Sequence, residues 1–451
     1  MFRFFVAVCT AVMPALAASG AEANSPTPNP GDTGTPSAAA DIPLVTSSPF
    51  QKLPEWLQIH GQIRGRFEVP SGTALNNTTS ADEYLSRIRV DFGIKPTSWL
   101  RFFAQTQDAR ISGYPVSPAP NTVYNPLDLR QGYIELGGAV THGVSVRFGR
   151  QEMAFGGERL IGPADWGMSR TFDAVDMSVV EGKTKVDLFA GSSVLIDPNR
   201  FDRHKPGEHF YGAYGSIKQF GPRLTIEPYL LFKQTLLVKS ETSVLGDGLV
   251  TSPGVRALGK LPMGFDYIAE VVVQRGSYSA DKVSATGESY VFGWTVPGYG
   301  FAPRFSAEYN YASGDAALKD GSRNTFDQFY PSNHSYYGMF DQFGWKNMKN
   351  FRTGYDCTAS KKLKIRGDFN EFYVATVQDS LYNSAGSSMV LNRKATSTHI
   401  GTALGATVMY QWTKVWKVGA GYTHLFAGNF LIQSNAGFGY SYPYVTFVGS
   451  F

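Results

Sequence analysis

An all-β fold, a transmembrane antiparallel β-barrel of about 18 strands, is what this sequence predicts, and three observations carry it. A two-residue alternation of apolar and polar side chains recurs down the chain. The N-terminus reads as an export signal, and no later apolar run is long enough for a membrane-crossing helix. The last alternating segment ends on an aromatic residue, Phe451.

The alternation is clearest over residues 57–69. Leu57, Ile59, Gly61, Ile63, Gly65, Phe67 and Val69 fall on one face, and Gln58, His60, Gln62, Arg64, Arg66 and Glu68 on the other. Period two is the mark of a strand with two unlike faces. Such a strand crosses a bilayer at a tilt in roughly 9–11 residues. Residues 84–95 repeat the pattern, with Tyr84, Ile88, Val90 and Phe92 opposite Arg87, Arg89 and Asp91. Pro96-Thr97-Ser98 makes a tight turn into a strand from Leu100. Further strands are expected at 130–136, 144–152, 172–180, 184–191, 209–217 and 223–232. The series continues at 252–260, 265–275, 288–296, 303–312, 348–359, 363–373, 399–411, 415–426 and 442–451. Short turns alternating with longer loops suit a membrane barrel. Aromatics near strand ends, among them Tyr84, Trp99, Trp294, Trp412 and Trp416, suit interfacial girdles. A soluble sandwich alternates too, but this many strands closed on themselves leave an aqueous lumen.

Composition agrees. The 451 residues carry a net charge of +4, with 48 Gly, 24 Tyr and 32 Phe. Residues 1–23 are expected to be a signal peptide, with Arg3, an apolar core from Phe4 to Leu16, and small-x-small cleavage sites at Ala15-Leu16-Ala17 or Ala21-Glu22-Ala23. Pro14 and the short apolar run argue against a permanent anchor. Residues 24–50, rich in Pro, Ser and Thr, read as a flexible tether, and 51–451 as one barrel placed in a bacterial outer membrane in contact with its lipid. Cys9 leaves with the signal, so Cys357 is alone and neither disulfide nor thiolate metal site is expected.

The polar faces carry the chemistry. Arg64, Arg66, Arg87, Arg89, Arg101 and Arg147 are expected to line the lumen, joined by Arg150, Arg159 and Arg170 from the glycine-dense stretch after them. Guanidinium groups hold carboxylates bidentately at any useful pH, and basic rings in a narrow pore select anions. The competing reading pairs them with acids along the wall, since Glu68, Asp91, Glu135, Asp187, Glu227, Glu270 and Glu308 also lie in strand-like runs. The glycines between 137 and 167 form no phosphate loop, and are read as serving bends and loops folded into the lumen. Enzyme signals are weak. His334-Ser335 are sequence neighbours, a poor geometry for a nucleophile and its base, and His204, Glu208 and His209 lack a zinc-protease spacing. No catalytic residue, metal or cofactor is expected, and nothing points to nucleic acid.

Several segments resemble the alginate-export family of outer-membrane barrels. They are Gly61-Gln62-Ile63-Arg64-Gly65-Arg66-Phe67-Glu68, Ser86-Arg87-Ile88-Arg89, Ala104-Gln105-Thr106-Gln107-Asp108-Ala109-Arg110 and Phe148-Gly149-Arg150-Gln151-Glu152. Gly157-Glu158-Arg159-Leu160-Ile161-Gly162, Trp166, Arg170-Thr171-Phe172-Asp173, residues 325–334, Phe343-Gly344-Trp345 and residues 421–428 belong with them. The resemblance implies a monomeric 18-stranded barrel whose arginine-rich lumen passes an acidic oligo- or polysaccharide outward, with periplasmic export partners. It implies pore-lining roles for Arg64, Arg66, Arg87, Arg89, Arg150, Arg159 and Arg170. The alternative function is a general or nutrient-uptake porin.

Overall fold

The computed structural model describes residues 53–73, 75, 80–138, 142–338 and 340–451. The expected signal peptide and tether lie outside the described residues. Eighteen antiparallel strands close into one barrel. They are β1 (Leu57–Glu68), β2 (Glu83–Thr97), β3 (Leu100–Ser112), β4 (Asn125–Gly137), β5 (His142–Gln151), β6 (Phe172–Glu181), β7 (Thr184–Leu195), β8 (Glu208–Ile217) and β9 (Thr225–Lys239). The second half holds β10 (Leu245–Lys260), β11 (Phe265–Tyr278), β12 (Asp281–Thr295), β13 (Arg304–Ala312), β14 (Met348–Ser360), β15 (Leu363–Val374), β16 (His399–Gln411), β17 (Trp416–Ala427) and β18 (Tyr440–Ser450). Each answers one expected strand.

The seam forms where β1 pairs with β2 on one side and β18 on the other, Ile63 facing Ile88 and Gly449. Phe451 locks it: its amide donates to the Gly61 carbonyl at 3.0 Å, and the Gly61 amide returns the bond at 2.7 Å. The rings of Phe451 and Phe447 lie flat against Gly61 and Gly65, where any Cβ would collide with them. A side chain at either position would have to push the ring aside, and glycine lets it stay.

Alternation then sorts the side chains. Phe67, Ile88, Phe92, Phe305, Phe351 and Val445 point outward and are exposed, as are Trp99, Trp294 and Trp412. An apolar band of this extent around a closed barrel is a lipid-facing surface. Among the described residues no helix is long and apolar enough to cross a membrane.

The two ends differ. Tight turns such as 98–99, 182–183 and 361–362 close one end, and the long connections 152–171, 313–347 and 375–398 all leave from the other. The interior departs from the expected polar lumen on that long-loop side. There the inward residues Phe172, Phe210, Val272 and Phe372 join Ile161, Phe326, Phe343 and Trp345 in one apolar core. The long connections fold back into the barrel and bury their own apolar side chains against the wall.

Candidate functional site

The arginines of the first strands converge because their register aligns them. Arg64 faces Arg87 and Gln62 faces Arg89 across β1 and β2, all pointing inward. Four adjacent guanidinium groups repel one another, so something anionic or rich in carbonyl oxygens must sit among them. Residues 165–167 of the first inward loop do so. Arg64 donates to the Asp165 carbonyl at 2.7 Å and to the Trp166 carbonyl at 2.9 Å. Arg66 donates to the Trp166 carbonyl at 2.7 Å, lies 4.1 Å over the Trp166 ring, and pairs with Glu68.

The Asp165 carboxylate fills the centre. Arg87 donates to its two oxygens at 2.9 and 3.1 Å. Arg89 Nη2 lies 2.7 Å from Oδ1 as a charge contact without hydrogen-bond alignment, while its Nε donates to Gln107 at 2.7 Å. Burial alone would raise the Asp165 carboxyl, but Arg87, Arg89 and Arg64 outweigh it and hold the group well below the usual carboxylate range. The loop carries its own counter-anion into the cluster.

Two more arginines on the first inward loop brace it. Arg159 is buried, donates to Glu308 at 2.5 Å and to the Tyr337 hydroxyl at 3.1 Å, and stacks 3.8 Å over Tyr336. Arg170 donates to the Gly162 carbonyl at 2.9 Å and the Pro331 carbonyl at 3.3 Å. Around them the two inward loops pair as a short parallel bridge, Ile161 with Tyr330, and Trp166 stacks on His334 with ring centroids 4.1 Å apart. His334, the one residue of the His334-Ser335 pair whose side chain is described, is thus a packing partner of Trp166.

The remaining expected residues divide. Arg101 points inward and lies 5.1 Å over the Phe103 ring. Arg147 is inward, 3.1 Å from Glu135, as the wall-pairing reading anticipated. Arg150 is a correction: three residues after Arg147, it falls on the opposite face of β5, in step with the outward Phe148. It is held by Asp173 at 2.8 Å and the Asp202 carbonyl at 2.9 Å. Wall pairing also holds for Arg256 with Glu227 at 2.7 Å and Arg352 with Glu308 at 3.2 Å. Sequence reasoning missed Arg130, which is buried and reaches Glu152, Ser169 and Gln105 beside the cluster. By parity its strand position falls on the same face as outward Ile134, but the pairing of β3 with β4 shifts there, from Gln105–Gln131 to Thr106–Leu129, and turns it inward. Among the described residues no group of three metal-ligand side chains comes together.

A closed barrel with a lipid-facing belt, tight turns at one end, long loops at the other and a charged interior defines the outer-membrane channel class. The profile of the alginate export family matches residues 55–437, and the chain belongs to that family. Solved barrels from Pseudomonas aeruginosa share the fold. OccK11 (OpdR) is 10% identical with TM-score 0.58, covering 87% of this chain and 95% of its own. OpdO is 11% identical with TM-score 0.57, covering 88% and 97%. OpdK, solved with vanillate, is 12% identical with TM-score 0.58, covering 88% and 99%. No curated protein sequence matches significantly.

Proposed function

We propose that this protein is an outer-membrane channel through which anionic solutes pass, with an acidic polysaccharide of the alginate type moving outward as its cargo. The observation that carries the reading is a carboxylate already seated among Arg64, Arg87 and Arg89. A site that accommodates the Asp165 carboxyl has the geometry to accept a uronate carboxyl when the 152–171 loop withdraws. Each guanidinium would replace part of the solute's hydration, and neighbouring arginines would let the charge step onward. Arg66, Arg101, Arg147, Arg159 and Arg170 would extend the basic field, while Arg150 lies outside it. The work is passage without bond chemistry, by a monomer in contact with outer-membrane lipid and served by periplasmic export partners.

Proteoliposomes loaded with a tetrameric oligouronate and a neutral tetrasaccharide test this. Faster release of the acidic sugar supports the reading, and equal release of both sinks it. The second reading is an uptake porin for small organic acids. It draws support from the likeness to OpdK, a barrel solved with the aromatic carboxylate vanillate. It predicts release of small monocarboxylates and retention of the acidic tetramer.

A further inference from the structure

A second basic site lies on the wall opposite the arginine cluster, nine strands round from β2. A cavity of about 190 Å³ opens between β9–β12 and the inward loops, lined by Lys233, Tyr278, Arg323, Asp327, Phe329 and Lys346 among others. Three cations meet one carboxylate there. Lys233 Nζ is 3.1 Å from Asp327. Arg323 lies 4.0 Å over the Tyr278 ring and has no carboxylate partner among the described residues. Lys346 Nζ has a long bond to the Gly386 carbonyl at 3.4 Å and sits 4.4 Å over Tyr382. Burial first, then the charges of Arg323 and Lys233, pull the Lys346 ammonium below its usual value, only partly offset by Asp327.

The cavity is built rather than incidental. Gln274 grips Asp327 through two bonds at 2.8 Å, its amide to the Asp327 carbonyl and its oxygen to the Asp327 amide. Arg323 pairs in parallel with Val283 of β12. Three loop or wall segments are thereby held at fixed positions round a space where three cations face one carboxylate, a net excess of positive charge. At ~30 Å³ per water it holds about six waters, the bulk of a single sugar ring. The Tyr278 and Phe329 faces suit the C–H side of such a ring.

We propose that this cavity binds one small carboxylate-bearing ligand, up to a single sugar acid in bulk, and that its occupation clamps the 313–347 and 375–398 loops to the wall. The carboxylate takes Arg323 and Lys346, and Lys233 remains with Asp327. The choice of a sugar acid rests on the anionic-saccharide reading above, but the site is spatially separate from the arginine cluster.

The test is titration calorimetry of the refolded full chain with glucuronate, glucose and inorganic phosphate. Glucuronate is expected to bind, glucose and phosphate at least tenfold more weakly. Arg323→Gln and Lys346→Gln should each weaken glucuronate at least tenfold, and Arg110→Gln, at an exposed pair with Asp108 outside both basic sites, should leave it unchanged. Full-affinity binding that survives the double substitution, or is lost with Arg110→Gln alone, overturns the proposal. Phosphate binding as tightly as glucuronate overturns the sugar-acid assignment. Hydrogen exchange on the unsubstituted chain gives a readout independent of variant folding: glucuronate should protect residues 323–329 and 344–347, and no added protection over glucose contradicts the clamp. Anion selectivity in bilayers is expected to persist in both variants. Its absence in the unsubstituted protein would instead count against the channel reading alone.

Discussion

Asp165 Oδ1 lies 2.9 Å from Arg87 Nη1 and 2.7 Å from Arg89 Nη2, so one loop carboxylate ties the 152–171 connection to two guanidinium groups of β2. The pair is nearly dry, with the Arg87 side chain 3% exposed and that of Asp165 19% exposed. Removing one partner of such a pair costs roughly 3–5 kcal/mol, because the other charge is left uncompensated. Here that cost falls on the loop-in state. Asp165→Asn is expected to shift the loop outward and raise single-channel conductance while the barrel stays folded. Conductance equal to that of the unsubstituted protein would mean that the backbone bonds from Arg64 and Arg66 suffice to hold the loop.

Glu308 stands between Arg159 of the first inward loop and Arg352 of β14, at 2.5 and 3.2 Å. Glu308→Gln should destabilise the fold by roughly 3–5 kcal/mol. Glu135→Gln, which frees the half-exposed Arg147, should cost about 1 kcal/mol or less. Urea midpoints of the refolded barrels, followed by tryptophan fluorescence, compare the two. Equal effects would show that burial does not set the strength of these pairs.

The seam depends on Gly65. A valine there would displace the Phe447 ring from β1, and β1 would lose its packing against β18. Gly65→Val is expected to cut the yield of heat-resistant folded barrel several-fold. Phe447→Leu, which keeps an apolar side chain without a flat ring, should do so less. Normal assembly of Gly65→Val would contradict the close-approach argument.

Asp327 governs the second inward loop. Burial opposes its charge, but Lys233 and Lys346 overcome that and lower the carboxyl to about 2. A depressed carboxyl contributes stability above its unfolded value of about 3.9, and that stability is lost as pH falls towards the folded value. Hydrogen-exchange protection of residues 323–329 should therefore hold from neutral pH to about 4 and fall between about 4 and 2. Protection already lost at about pH 5 would place the controlling titration on another group.

The wall was legible in the sequence because a strand's two faces answer to two solvents, lipid and lumen, and period two records that directly. Even residues 172–180, which alternate poorly, form β6, since its neighbours β5 and β7 supply the pairing that its own pattern does not advertise. The arginine cluster was legible for the same reason: Arg64 and Arg66 share one face of β1, and Arg87 and Arg89 share one face of β2. Arg150 was misplaced because spacing along β5, rather than proximity to other arginines, decides its face. Arg130 was invisible because a register shift reverses parity locally. The loop core around Phe326, Phe343 and Trp345 left no periodic trace, since inward loops pack by shape against the wall. Lys346 and Arg323 come together only through that packing, so their cavity has no sequence signature.

Inward arginines should make the passage anion-selective. The reversal potential of the refolded protein in a planar bilayer under a potassium chloride gradient, followed by addition of an oligouronate, measures this directly. The expected result is a potential on the chloride side, block by the acidic sugar, and loss of both in the combined Arg64→Gln, Arg87→Gln, Arg89→Gln variant. A potential near zero, with no block and no change in that variant, would contradict it.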